Sequence, residues 1–221
     1  MTKILAIETS SEQASCALLN GDTVLARQST GVRTHSQSIL PMVQELLAEA
    51  GLALKELDAI AFGAGPGSFT GVRTACGIAQ GLAFGAGLPV IPIVTLAAMA
   101  LACRQRTGAT DVLTVLDARM GEVYWAQYRF ADGWQTVAEP ALCTPGGVAA
   151  AGTPTACGNG LTGSGLADVM PHAAQVAELA ALEFAAGRTV TAAQAQPIYL
   201  RNKIAYTSAE RQVINAAKAS A

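Results

Sequence analysis

GAGPGSFTG at residues 63–71, continued by VRTACGIAQGLAFGAG at 72–87, is the stretch on which the reading of this chain turns. The apolar run Ala59-Ile60-Ala61-Phe62 before it predicts a buried strand. Gly63, Gly65, Pro66 and Gly67 then bar a regular element, because glycine reaches positive φ and proline has no N–H to donate. Thr70 is the expected N-cap of a helix starting at Gly71. Strand, glycine-rich turn and helix is a layout that brings backbone N–H groups to a phosphate or a partner. Three common motifs of that layout fail on spelling. A Walker loop ends in Gly-Lys-Ser/Thr, and no lysine lies between Lys55 and Lys203. A dinucleotide fingerprint needs a glycine where this chain has Ser68, and a nucleophile elbow needs glycines where it has Pro66 and Thr70.

The helix after the loop carries two rows of small residues at four-residue spacing. One is Gly71, Ala75, Ala79, Ala83 and Gly87; the other is Gly77, Gly81 and Gly85. An interior glycine destabilises a helix by about 1 kcal/mol relative to alanine, so several together make sense where other backbones come close. One row fits tight packing of the helix on its own sheet. Two rows imply contact on two sides, and a second helix is expected there.

Composition narrows the class. At 221 residues the chain suits one large domain or two small ones. It is 51% hydrophobic and 14% charged, which excludes a disordered chain. A net charge of −2 with scattered basic residues is a poor footprint for holding a nucleic acid unaided; Arg201 and Lys203 are the nearest thing to a cluster. Cys16, Cys76, Cys103, Cys143 and Cys157 form no Cys-x-x-Cys pair, so a reducing compartment is expected rather than disulfides or a metal. No secretory leader is read at the N-terminus, where the apolar run after Lys3 is broken by Glu8. No charge falls between Arg73 and Arg104, which raises the question of a membrane span. Gly85, Gly87, Pro89 and Pro92 break that run into helix, short strand and helix, so a buried passage is expected.

In chain order, Ile4–Ile7 reads as a buried strand, followed by strands Ser15–Leu19 and Thr23–Ala26 around Asn20-Gly21-Asp22. Thr9, Ser10 and Ser11 lie at the turn after the first strand. His35–Ala50 is a helix with Thr34 as its cap, Pro41 inside and one apolar face of Ile39, Val43, Leu46, Leu47 and Ala50. His35 has no second imidazole at i+3 or i+4, which favours a capping or surface role over a metal ligand. Val90–Val94 is a strand, Leu96–Cys103 a helix, and Arg104–Gly108 a polar connector. Val112–Leu116 and Glu122–Phe130 are strands around a turn at Asp117–Gly121, with a further hairpin turn at Ala131–Trp134. Thr144–Pro171 is rich in small residues, with a short strand before Cys157-Gly158-Asn159-Gly160. Ala174–Ala186 is an amphipathic helix ended by Gly187, Pro197–Arg201 a late strand or an extended segment, and no function is assigned after Asn202.

GAGPGSFTGVR resembles the signature of the TsaB (YeaZ) family, the non-catalytic subunit in bacterial synthesis of threonylcarbamoyladenosine on tRNA. ILAIETSSEQASCAL (4–18), HSQSILPMVQELL (35–47), LPVIPIVTL (88–96), LDARMGEVYWAQY (116–128) and PIYLRN (197–202) resemble further blocks in the family's order. The resemblance implies an α/β fold of two ribonuclease-H-like halves in the actin/hexokinase/Hsp70 class, divided here at 1–104 and 105–221. In that class the turn after the first strand holds phosphate after an aspartate, whose place Glu8 takes. The Asp117 turn mirrors the Glu8 turn. Glu8, Thr9, Ser10 and Asp117 could line a residual phosphate and Mg²⁺ cleft; the alternatives are a polar hairpin turn and an Asp-capped bend. The class also has a double glycine for adenosine, where Asn159 separates Gly158 from Gly160. At most weak ATP or ADP binding is therefore expected, with no tightly bound cofactor.

The catalytic paralogue TsaD carries a His-x-x-x-His metal motif where this chain reads Val94-Thr95-Leu96-Ala97-Ala98-Met99, and His35 and His172 are its two histidines. The implied role is a cytoplasmic, non-enzymatic scaffold that binds and activates TsaD, with the ATPase TsaE as third component. The assembly acts on the adenosine next to the anticodon of tRNAs that read ANN codons, and the chain meets tRNA only through it. The expected interface is His35, Ile39, Val43, Leu46, Gly71, Ala75, Gly77 and Gly81, shared with a homodimer when TsaD is absent. The rival readings are an active phosphotransferase of the same class, whose ATP turnover would need Asp117, and a peptidase, which would need a metal.

Overall fold

A computed structural model describes residues 1–29, 35–163 and 165–201. Thr34, Asn202, Lys203 and the residues after them, on which some sequence expectations fall, lie outside the described residues. The first sheet holds β1 (Lys3–Glu8), β2 (Ser15–Asn20), β3 (Thr23–Gln28), β4 (Ala59–Gly65) and β5 (Val90–Val94) in the order β3-β2-β1-β4-β5. The β1–β2 and β2–β3 pairs are antiparallel, whereas β4 runs parallel to both β1 and β5. The second sheet holds β6 (Asp111–Arg119), β7 (Glu122–Phe130), β8 (Trp134–Cys143) and β9 (Thr155–Cys157) in the order β8-β7-β6-β9. Its four strands repeat the pairing of the first four in the first sheet, with a parallel β6–β9 contact in place of β1–β4. The fold is thus two ribonuclease-H-like halves.

The helices are α1 (His35–Ala50), α2 (Phe69–Ala86), α3 (Thr95–Thr107) and α4 (Ala173–Ala185). The reason β1 is apolar at successive positions is that both faces of its sheet are covered. Leu5 and Ile7 pack with Ile39, Val43 and Leu46 of α1 and with Ala75, Ala79 and Ala83 of α2. Ile4 and Ala6 face the other way, onto Ala173, Val176, Ala177 and Ala180 of α4. The small side chains on that second face let α4 lie close to the strands. In the second half, Leu96, Met99 and Cys103 of α3 pack on Val112, Leu116, Tyr124 and Ala126.

Several boundaries differ from the sequence reading. Ser68, not Thr70, caps α2: its Oγ accepts from the Gly71 N–H at 3.4 Å, and the helix starts at Phe69. The expected connector Arg104–Gly108 is the last turn of α3 closed by a left-handed Gly108. Residues 74–103 are helix, strand and helix, and no helix among the described residues is long and apolar enough to cross a membrane. The division at residue 104 is crossed twice. Helix α3, from the first segment, packs on the second sheet, while α4, from the second segment, covers the first sheet.

Helix α4 also carries a titratable cap. His172 Nδ1 accepts from the Ala174 N–H at 3.2 Å, and Ser15 Oγ accepts from the Ala173 N–H at 2.9 Å. A ring nitrogen that accepts is unprotonated, and burial holds the His172 pKa below 6.5. Because the folded-state value is depressed, the unfolded chain takes up the proton first, and stability is lost as pH falls through 6.5. His172→Asn keeps a capping acceptor that does not titrate. Denaturant unfolding should show the variant gaining about 1 kcal/mol on the wild type between neutral pH and mildly acidic pH. An unchanged difference would refute the titrating cap.

Candidate functional site

Between the halves lies a cavity of about 530 Å³, within the size range of small-molecule sites. Ser10, Ser11 and Glu12 form one wall with the start of α2, at Gly67, Ser68 and Phe69. Opposite stand Leu116 to Met120 and Asn159, and the segment Ile198–Arg201 runs along the cleft. His35 sits at its edge with Nε2 3.2 Å from the Glu12 carbonyl oxygen.

Of the four expected cleft residues, Ser10 and Asp117 line this space. Glu8 and Thr9 do not. The Glu8 side chain is fully buried, with Oε1 accepting from the Ser10 N–H, and its carboxyl end lies against Gly63, where a Cβ would fall 1.8 Å from Oε2. Burial pushes its pKa above 4.5, only partly offset by hydrogen bonds from Ser10, Thr9 and Thr95, and no positive charge contributes. Thr9 Oγ1 donates to the Gly71 carbonyl oxygen at 2.7 Å, tying the first turn to α2. The expectation that Glu8 and Asp117 jointly face a Mg²⁺ site is therefore corrected: the Glu8 side chain, at the end of the central strand β1, turns toward Gly63 of the neighbouring β4 and not into the cleft.

The turn at 158–160 is also committed to packing. A Cβ on Gly158 would meet the Val115 carbonyl oxygen at 2.3 Å, and one on Gly160 the Val115 Cγ1 at 2.7 Å. Asn159 Oδ1 accepts from the Asp117 N–H at 2.9 Å. These glycines let the turn lie on β6, and Asn159 pins the Asp117 bend from outside.

Arg119 and Met120 both adopt left-handed backbone, at φ 63° and 59°. For residues with a Cβ this costs on the order of 1 kcal/mol each and persists only where neighbours enforce it. Arg119 forms ion pairs with Glu12 across the cleft at 2.8 Å and with Asp117 at 3.2 Å. Arg201 donates to Glu122, to the Met120 sulfur and to the Arg119 carbonyl oxygen. Composition had marked Arg201 only as part of a weak basic cluster. Its place in PIYLRN, an extended segment with no strand of its own, was the available signal.

The second feature is the outer face of α2. Among the described residues no atom outside the helix lies within 4 Å of where a Cβ would stand on Gly77, Gly81 or Gly85, and Phe84 beside them is 84% exposed. Leu40 of α1 is 46% exposed. Gly71 and Ala75 face inward, Gly71 so closely that a Cβ would fall 1.9 Å from the Thr9 carbonyl oxygen. Ile39, Val43 and Leu46 are buried in the core under the first sheet, so the expected exposed apolar row is corrected. Helical periodicity locates an apolar stripe but not what covers it, and here the chain's own strands do. Gly77 and Gly81 remain on the outside; His35 belongs to the cleft edge.

His172 is engaged as a cap and His35 lies in the cleft, and among the described residues no three His, Cys, Asp or Glu side chains are grouped to hold a metal ion.

Two ribonuclease-H-like lobes facing each other across a cleft define the actin/hexokinase/Hsp70 class of architecture. A family model described as TsaD, tRNA N6-adenosine threonylcarbamoyltransferase, matches residues 19–219. The tRNA threonylcarbamoyladenosine biosynthesis protein TsaB of Escherichia coli K12 is 42% identical, over 92% of this chain and 96% of that protein. Its Haemophilus influenzae counterpart is 41% identical over 92% and 95%. The solved structure of YeaZ from Pseudomonas aeruginosa superposes with a TM-score of 0.84 at 39% identity, covering 90% of this chain and 100% of that one. The chain belongs to the TsaB (YeaZ) family.

Proposed function

We propose that this protein is a non-catalytic subunit for threonylcarbamoyladenosine formation on tRNA, acting in the cytoplasm by docking on TsaD, with TsaE as third component and tRNA met only through the complex. The relatives' names supply the pathway. The observation that carries the docking role is the bare face at Gly77, Gly81 and Gly85. Helix glycines are unfavourable by about 1 kcal/mol each, and nothing among the described residues uses the space they leave. With Phe84 exposed beside them, the face suits close approach of another helix, either from TsaD or from a second copy in a two-fold dimer.

Gly81→Leu tests this. Open space around Gly81 means the monomer accepts the side chain and gains helix propensity. The expected result is unchanged circular dichroism, with association with TsaD weakened at least about tenfold, or about 1.4 kcal/mol, in calorimetry and loss of the dimer in size exclusion. Wild-type affinity in the folded variant would place docking elsewhere.

The isolated chain binds ATP or ADP weakly or not at all, and holds no tightly bound cofactor. The support is that Glu8 is turned inward and that Gly158 and Gly160 are committed to packing on β6. Low-micromolar ATP affinity in calorimetry, or ATP turnover lost in Asp117→Asn, would instead favour the phosphotransferase.

A further inference from the structure

The segment after α4 returns along the first lobe before it crosses the cleft. Gln80 Nε2 donates to the Ala195 carbonyl oxygen at 2.9 Å, and Ala195 is buried in the core shared by α1 and α2. The Ile198 N–H donates to the Ala64 carbonyl oxygen of β4 at 2.7 Å. The Tyr199 ring lies 6.0 Å from that of Phe69 at the start of α2, and the Arg73 guanidinium stands over both rings. One residue further the contacts change lobe. Leu200 packs against the core of the second sheet, and Arg201 bonds Glu122, Met120 and the Arg119 carbonyl oxygen at the β6–β7 turn.

We infer that Ile198–Arg201 is a built-in strap that holds the two lobes at one fixed separation, with Arg201 as its lock on the left-handed Arg119–Met120 turn. Ile198 and Tyr199 are fastened to β4 and α2, while Leu200 and Arg201 are fastened to the second lobe; four consecutive residues cannot stretch to follow a hinge rotation. The lock is better shielded than the ionic contact that crosses the cleft mouth. The Arg201 side chain is 12% exposed and its partner Glu122 35%, whereas the Arg119–Glu12 pair across the cleft mouth is 72% and 80% exposed. Solvent screens the second pair far more than the first. The turn's left-handed backbone needs outside enforcement, and Arg201 reaches both residues that adopt it. The cleft of this protein is therefore set by its own chain, and the inference stands whether or not the outer face of α2 docks a partner.

Hydrogen exchange on Arg201→Ala in the full chain tests the strap. Loss of the lock should speed exchange of amides at 118–122 and 10–12 about tenfold or more, with β1, β4 and α2 unchanged, because only the interlobe contacts are released. Glu122→Gln, which removes one charge and no volume, should move the same amides in the same direction by less. Combined with Arg201→Ala it should add nothing further. Uniform acceleration across both sheets would reduce Arg201 to a residue of general stability and overturn the proposal, as would unchanged exchange at both loops. If Arg201→Ala does not fold, Glu122→Gln alone decides between the same outcomes.

Discussion

Gly71→Ala is expected to destabilise the protein by about 3 kcal/mol or more, while Gly77→Ala on the same helix stabilises it by up to about 1 kcal/mol. Both positions are ordinary helix, so propensity alone would make both substitutions favourable. What separates them is the neighbour. A Cβ on Gly71 would stand 1.9 Å from the Thr9 carbonyl oxygen and 2.9 Å from its carbon, and neither atom is the end of a flexible side chain. The turn after β1 and the first turn of α2 would have to part, breaking the Thr9 hydroxyl bond to the Gly71 carbonyl oxygen. Around Gly77 there is open space. Denaturant unfolding of the two variants checks the opposite signs; two shifts of the same sign would show that α2 does not seat on the first turn as described.

Glu8→Gln is expected to gain stability over the wild type progressively as pH rises. The carboxyl group is fully buried with no charged partner among the described residues, and its folded-state pKa lies above 4.5. Above pH 4.5 the folded chain therefore holds a proton that the unfolded chain has released. The wild type loses stability with a slope of up to about 1.4 kcal/mol per pH unit until the folded-state value is passed. A glutamine fills nearly the same volume, can accept from the Ser10 N–H, and carries no such slope. Wild type and Glu8→Gln should be nearly equal below pH 4.5 and diverge steadily as pH rises above it, the difference levelling only once the folded-state value is passed. A constant difference from mildly acidic to alkaline pH would mean that Glu8 is ionised throughout and charge-compensated. Because the group is turned away from the cleft, neither variant should change the dimensions of the cleft wall at Ser10 and Ser11.

These two sites show how the sequence and the tertiary structure divide the information. The pair of small-residue rows on α2 was legible from spacing alone, and so was the fit of one row to the protein's own sheet. Which row does so was not. A four-residue repeat names a helix face but not its direction, and the direction is set by the Thr9 turn arriving from residues far away in the chain. In α1 the same limit produced an error: Ile39, Val43 and Leu46 form the expected stripe, yet the first sheet covers it.

The four helices and most strands could be read from local patterns, because apolar runs, Asn20-Gly21 and the glycines that end helices act within a few residues of where they stand, but β8 (Trp134–Cys143), whose apolar residues do not alternate cleanly, was not read. Val90–Val94, Glu122–Phe130 and His35–Ala50 lie where the pattern put them. The repetition of strand, turn and strand around Glu8 and Asp117 likewise announced two related halves. What depends on contacts between distant residues was settled by the closed fold. It exchanged α3 and α4 between the lobes, since each helix covers whichever sheet leaves a face open. It turned Glu8 inward and spent Gly158 and Gly160 on Val115. It also joined Arg201 to a turn about eighty positions earlier, as the Arg201 bond to the Arg119 carbonyl spans 82 residues. Local patterns encode conformation through each residue's own backbone and its nearest neighbours; the cleft, the buried acid and the strap exist only once the chain has closed on itself.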